Sequence, residues 1–358
     1  MKGHSLSTRT ITYAQAINEA LSVALSVDPN VYLIGLGTPD PKGVFGSTVG
    51  LAEKYGAKRV LDMPVSENAL SGVILGSAID GMRPVLTHQR VDFSLVSFEQ
   101  IINQAAKWHY MYGGSATAPL VIRMIVGRGW GQGPQHSQSL QSIFAHIPGL
   151  KVVMPTTPRD AKGLLLSAIF DDNPVIILEH RWLYNIEGPV PEGDHRTPIG
   201  VPRVVRPGKD ITIVGTSYMT IEALRAALML VDLGIEAEVI DLRTINPLEH
   251  KPIIDSVQKT SHLIVADTSW RNCGVAGEIV ARVAEEAFDY LKSAPQRVTL
   301  PDAPVPTSHA LTDEFYPRAI DIARVAGDMI GIPTSGLSDN IVESGMLDLP
   351  DNSFRGPF

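Results

Sequence analysis

Short apolar runs alternate along the chain with segments in which apolar residues recur every three or four positions. The first pattern belongs to buried strands and the second to amphipathic helices, so the alternation predicts parallel α/β architecture. Thr12 and Gln15 form a capping-box pair ahead of Ala16, Ile17, Ala20, Leu21 and Ala24, which share one helical face. The strand VYLIGLG follows, then a loop rich in Gly, Pro and Asp, TPDPKGVFG. A second helix is predicted from about Asn68 to Gly81, where glycine can cap it, and a longer one from about Ser97 to Met111. PVLTH, PLVIRMI, LKVVMP and PVIILEH read as further strands, with PLVIRMI central because it is apolar on both faces.

From about Asn185 to Lys209 the chain is rich in Pro, Gly and charge without usable periodicity, as an interdomain linker would be. A smaller α/β unit then begins with DITIVG and the helix MTIEALRAALMLVDLG, followed by AEVIDL, SHLIVAD and the helix GEIVARVAEEAFDYL. The expected organisation is an N-terminal domain over 1–190, a linker over 191–208, a second domain over 209–330 and an arm or tail over 331–358. A length of 358 residues suits two domains.

Composition narrows the class. The chain is 44% hydrophobic and 19% charged, with a net charge of −8 and no Lys/Arg run, which argues against nucleic acid and anionic membranes as partners. The single cysteine, Cys273, leaves no disulfide framework or multi-cysteine metal site. The start, MKGHSLSTRT, lacks an apolar core, and no apolar stretch reaches the ~18 residues of a membrane span, so a cytoplasmic location is expected. Phosphate-loop, dinucleotide, HExxH, GxSxG and CxxC signatures are absent. GRGWGQG fails the dinucleotide spacing and reads either as a plain loop or as one that shapes an active site.

Three segments together carry a resemblance: RVLDMPVSENALSGVILGSAIDGMRPV, FEQIINQAAKWHYMYGG, and QHSQSLQSIFAHIPGLKVVMPTTPRDAKGLLLSAIFDDNPVIILEH. In order and spacing they resemble the β subunits of pyruvate and branched-chain 2-oxoacid dehydrogenases, the thiamine-diphosphate-dependent decarboxylase components. DLRTINPLE and the GEI helix resemble the transketolase-type C-terminal domain. The implied fold is two α/β domains, a pyrimidine-binding-type parallel sheet followed by a transketolase-type C-terminal domain. In that family an α-type chain carries GDG and a later Asn, which hold Mg²⁺ and the diphosphate. GDG is absent here, so the resemblance implies a cofactor shared with a partner chain, in an assembly of two α and two β chains.

The resemblance assigns roles residue by residue. Glu67, in PVSEN, matches the glutamate that hydrogen-bonds N1′ of the cofactor's aminopyrimidine; by itself it would read as a helix-start carboxylate facing the macrodipole. Phe93 matches the aromatic residue that stacks on the aminopyrimidine, with a core phenylalanine as the alternative. His136, in QHSQ, matches the histidine that stabilises or protonates intermediates, whereas His146 reads as packing. SAIFDDNP resembles a monovalent-cation site, usually K⁺, with Asp171 and Asn173 as side-chain ligands and the carbonyls of Ala168, Leu120 and Val121 completing it; the alternative is a plain helix-ending turn.

Departures from the family pattern bear on substrate. Leu36 stands where an acid is usual, Asn68 follows the catalytic glutamate, and Arg90 replaces an aromatic or small residue. Arg90, with His88 and with Gln89 beside the cofactor, could face the substrate channel and favour a carboxylate or phosphate, or Arg90 could be salt-bridged structure. The leading expectation is decarboxylation of a 2-oxoacid with transfer of the acyl unit to an acceptor, a lipoyl group on an acyltransferase in the dehydrogenase reading. A split transketolase or carboligase is the alternative, and a non-catalytic scaffold subunit the minor one.

Overall fold

The computed structural model describes residues 8–129, 131–312 and 314–339, with 343, 348–350, 354 and 356 beyond them. They form two compact units: Met1–Val126 with Ile143–Ile199, and Gly127–Ser142 with Gly200–Phe358.

In the first unit, β1 (Thr8–Thr12) leads into α1 (Tyr13–Val27), whose start is the expected capping box. Gln15 N–H donates to Thr12 Oγ1 at 3.2 Å, and Thr12 N–H donates to Gln15 Oε1 at 2.9 Å. The strands β2 (Val31–Gly35), β3 (Val60–Leu61), β4 (Arg83–His88), β5 (Val121–Val126), β6 (Lys151–Val153) and β7 (Val175–His180) lie in the lateral order β6-β7-β5-β4-β2-β3, every neighbouring pair parallel. Helices α2 (Leu51–Tyr55), α3 (Glu67–Ile79), α4 (Ala106–Met111), α5 (Gln141–Ala145) and α6 (Pro158–Ile169) fall between them. β5 and β7 are buried along their whole length, as interior strands of a parallel sheet must be. Arg123 is the exception to apolar filling: wholly buried in β5, it pairs with Glu179 of β7 at 2.7 Å.

Two helices differ from expectation. α3 starts one residue earlier, so Glu67 itself occupies the first turn, and it stops at Asp80 ahead of Gly81. The segment expected as one helix from Ser97 is a 3₁₀ helix (Val91–Ser97), a π-helical stretch (Glu99–Ala105) and only then α4. Ser94 and Ser97 hydroxyls donate to the carbonyls three residues back, Val91 at 2.6 Å and Ser94 at 3.0 Å, which favours the tighter winding.

The Pro- and Gly-rich stretch after residue 185 holds two short strands. β8 (Glu187–Pro191) pairs antiparallel with β1, and β9 (Arg203–Arg206) pairs antiparallel with β11 (Ala237–Asp241). Edge strands tolerate prolines that hide them from periodicity.

In the second unit β10 (Ile211–Gly215), β11, β13 (Leu263–Trp270) and β14 (Gln296–Leu300) are parallel, and a five-stranded sheet runs β14-β13-β10-β11-β9. A short strand β12 (Thr244–Asn246) follows β11, and helices α7 (Tyr218–Val231), α8 (Lys251–Thr260), α9 (Val275–Glu286) and α10 (Ala319–Ile330) accompany the sheet. Gly127–Ser142 clusters with this unit: Gln141 Nε2 donates to Asp267 Oδ1 at 2.9 Å, and Arg128 donates to Pro306 O at 2.7 Å and pairs with Asp348 at 2.5 Å. Of the arm expected from 331, residues 340–342, 344–347 and most of 351–358 lie outside the described residues. No helix among the described residues is long and apolar enough to cross a membrane.

Candidate active site on the first unit

A parallel sheet gathers ligands at the carboxyl ends of its strands, where successive crossovers diverge. Here that point lies between β2 and β4: from β2 the chain moves outward to β3, then returns to β4 and continues to β5 and β7 on the other side. The residues at this edge are Gly35-Leu36-Gly37 after β2, Glu67 after β3, His88-Gln89-Arg90 at and after β4, and Arg181 after β7. Gln89 Nε2 donates to Leu36 O at 2.9 Å and bridges the two sides. Close approach is built in. A Cβ on Gly35 would stand 2.6 Å from Thr87 O, and Gly37, at φ +70°, would meet Asp40 and Gln89.

Glu67 is half-buried in the first turn of α3, which packs against β4 and against the 3₁₀ helix carrying Phe93. Its carboxylate has no hydrogen-bond or ion-pair partner among the described residues, so both oxygens are free to receive a donor. Phe93 is half-buried, its N–H donating to Arg90 O at 3.2 Å. The fold thus brings Glu67 and Phe93 onto adjoining elements beside the switch point.

His88 is 3% exposed, its Nε2 is buried without a partner, and burial pushes its pKa down to about 4. It is therefore a neutral imidazole near neutral pH. Arg90 is buried as well; burial, then repulsion from Arg181, lowers its pKa to about 10, partly offset by Asp92. His136 belongs to the Gly127–Ser142 segment of the second unit, half-buried, its N–H on Gly133 O at 3.2 Å.

At the turn after α6, Asp171 and Asn173 do come together: Asn173 N–H donates to Asp171 Oδ1 at 2.9 Å. Asn173 Oδ1 is buried without a partner, while Asp171 Oδ2 receives Lys151 Nζ at 2.5 Å. Leu120 O accepts the Val175 N–H and retains a second lone pair, whereas Ala168 O accepts the N–H groups of both Phe170 and Asp171. Among the described residues no three His, Cys, Asp or Glu side chains cluster as a metal site.

Sequence reasoning missed Phe45, Arg181 and Tyr184. Arg181 Cζ sits 4.6 Å from the Phe45 ring centroid and 5.1 Å from that of Tyr184, and Arg90 Cζ sits 5.5 Å from Phe45. An arginine just past the C-terminal end of β7, with Glu179 and His180 between it and the apolar run Val175–Leu178, was the available signal.

Comparison with known proteins settles the family. The transketolase pyrimidine-binding domain matches residues 9–187, and the transketolase C-terminal domain matches 200–322. The β subunit of acetoin:2,6-dichlorophenolindophenol oxidoreductase from Cupriavidus necator is 46% identical over 89% of this chain and 97% of its own length. This chain is a β-type subunit of the pyruvate and acetoin dehydrogenase family. The pyruvate dehydrogenase E1 component subunit beta of Ascaris suum is 41% identical over 91% of both chains, and the Bacillus subtilis acetoin oxidoreductase β subunit is 40% identical over 91% of this one. A solved structure titled as a split gene transketolase, inactive beta4 tetramer, superposes with a TM-score of 0.73 at 23% identity, covering 90% of this chain and 99% of that one, which establishes the shared fold. The two-domain α/β architecture follows, and membership of this family makes the β-type subunit part of a thiamine-diphosphate-dependent enzyme that works with an α subunit.

Proposed function

We propose that this subunit presents Glu67 to N1′ of thiamine diphosphate while an α-type partner bearing GDG and Asn holds Mg²⁺ and the diphosphate, in an assembly of two α and two β chains. The observation that carries this is the partnerless carboxylate of Glu67, at the first turn of α3 beside the switch point of the sheet. Its surroundings support a covering chain: Val65, Val73, Leu95 and Val96 expose 76, 57, 39 and 64% of their surface around α3 and the adjoining 3₁₀ helix. Apolar side chains clustered beside a polar catalytic group are the pattern of an interface.

The cofactor supplies, when bound, a carbon nucleophile toward the substrate's carbonyl. The chain's own residues do the rest. Glu67 accepts a proton-sharing hydrogen bond at N1′, Phe93 packs on the pyrimidine face, and Gln89, anchored to Leu36 O, lines the same edge. His88, neutral in its buried position, and Arg90 form the polar wall toward the substrate, and His136 serves as the proton donor or acceptor for the reacting oxygen. The reaction is decarboxylation of a 2-oxoacid, or cleavage of acetoin as the relatives' names suggest, with transfer of the acyl unit to a lipoyl group in a cytoplasmic complex. The 1–190 and 209–330 regions act as pyrimidine-binding and C-terminal domains. A K⁺ ion at the turn after α6 would draw on Asn173 Oδ1, one oxygen of Asp171 and the carbonyls of Ala168, Leu120 and Val121, stiffening the loop before β7.

The test is reconstitution with the α chain. Glu67→Gln should cut thiamine-dependent turnover by about 10²-fold or more, because the lost interaction is made in the transition state. Unchanged turnover would overturn the assignment. Ketol formation from an aldehyde acceptor with no transfer to a lipoylated domain would favour the carboligase reading.

A further inference from the structure

We propose that Arg181 and Arg90 form an anion subsite at the carboxyl edge of the first sheet, taking the second acidic group, carboxylate or phosphonate, of a dianionic 2-oxoacid. This deepens the reading above and rests on it for the reaction, though not for the binding.

The argument begins with charge. Arg90 and Arg181 stand at this edge with Asp92 beside Arg90, and Arg123 lies buried behind them in β5 with Glu179. Glu179 is committed: Arg123 Nε and Nη2 donate to it at 2.7 and 2.9 Å, and Tyr184 Oη donates at 2.5 Å. The Arg181 side chain makes no hydrogen bond or ion pair among the described residues, and its Nε is buried without a partner. Half-buried cations are normally matched by an acceptor, because desolvation without one is costly.

What does touch Arg181 is aromatic. Phe45 and Tyr184 flank its guanidinium, and the two rings meet edge-on, their centroids 6.0 Å apart. Stacking orients a guanidinium while leaving its N–H edge open, the geometry in which arginine reads a planar oxyanion with two bonds. The support is itself held firmly. Tyr184 is tied to the Arg123–Glu179 pair, and Phe45 adopts φ +50°, a left-handed conformation costing a non-glycine residue about 1–2 kcal/mol. Arg90 shares the Phe45 ring and lies close enough to Arg181 for their repulsion to depress its own pKa. An arriving anion relieves that repulsion.

Position decides between a ligand and mere surface charge. Arg90 follows β4 and Arg181 follows β7, on the same edge as Glu67, with only β5 between the two strands. Both guanidiniums reach back to the same Phe45 ring, 5.5 and 4.6 Å from its centroid, so a single oxyanion can meet the two.

The reconstituted holoenzyme would be compared with 2-oxoglutarate, 2-oxopentanoate and phosphonopyruvate, and with Arg181→Gln and Arg181→Lys. The expected result is a preference of at least 30-fold in kcat/KM for one of the dianionic acids. Arg181→Gln should erase that preference while changing the 2-oxopentanoate value less than threefold, and Arg181→Lys should restore part of it. Whether 2-oxoglutarate or phosphonopyruvate is favoured separates carboxylate from phosphonate recognition. Calorimetric binding of 2-oxoglutarate and phosphonopyruvate to the Glu67→Gln holoenzyme keeps the two readings distinct: binding that disappears on adding Arg181→Gln supports the subsite even if no turnover is ever found. Equal use of 2-oxopentanoate and the dianions by the wild type would overturn it, as would equal losses on all three substrates in Arg181→Gln. Failure of Arg181→Gln to co-purify with the α chain would also overturn it, by assigning the guanidinium to a carboxylate of the partner.

Discussion

Replacing Arg123 by methionine tests the central electrostatic support of the first unit. Arg123 and Glu179 are 0 and 1% exposed and join β5 to β7 through two hydrogen bonds of 2.7 and 2.9 Å. The guanidinium also reaches Ser47 Oγ at 3.1 Å, and Tyr184 Oη remains on Glu179. Arg123→Met removes one charge and strands the other, and breaking a buried pair in this way costs about 3–5 kcal/mol. For a unit of this size that corresponds to a fall in Tm on the order of 10 °C. Arg123→Met/Glu179→Leu removes both charges, so its cost should be smaller, about 1–3 kcal/mol, mainly from the orphaned Tyr184 hydroxyl. Because two units melt in one chain, the readout should be hydrogen exchange of the β5 and β7 amides alongside calorimetry. If the single variant is no more destabilised than the double, the pair is not an electrostatic unit and the reasoning fails.

Two further outcomes follow from buried groups. His88, with a pKa near 4 when folded and about 6.5 when unfolded, leaves the unfolded chain binding the extra proton between those values; stability should therefore fall as pH drops through that window, by up to about 3 kcal/mol, and His88→Leu should flatten the slope in acid titrations of unfolding. Asp348→Asn should loosen the segment carrying His136, because Arg128, 2% exposed, would lose its carboxylate and keep only neutral partners, the Pro306 and Thr307 carbonyls and the Tyr316 hydroxyl; faster amide exchange over 127–142 is the readout, and unchanged exchange would show that Asp348 does not brace it.

Local periodicity was enough for the interior parallel strands and most of the longer helices of both units, because burial on both faces or on one stripe imprints directly on residue order, but not for the edge strands β3 and β14 or for helices α2, α5, α8 and α10. It also sufficed for α1, where the capping box is a contact between residues three apart. The winding of 91–111 was not legible, because serine back-bonding competes with the helical ladder on near-equal terms. β8 and β9 were hidden for another reason: an edge strand need not alternate, and its partner lies far away in sequence.

The same division runs through the site. The family resemblance, not the residues by themselves, singled out Glu67, Phe93 and His136, and through it the absence of GDG implied a second chain. The sequence could not show that Arg181, 91 residues beyond Arg90, stands at the same sheet edge, because strand order places β5 alone between β4 and β7. Nor could it show which arginine lacks a carboxylate. Arg123 interrupts an apolar run, and Arg90 and Arg181 each come two or three polar residues after one, so nothing local separates them. Only the packed sheet assigns Glu179 to Arg123 and leaves Arg181 between two aromatic rings, because pairing is decided by distance in space and by which charges are removed from water together.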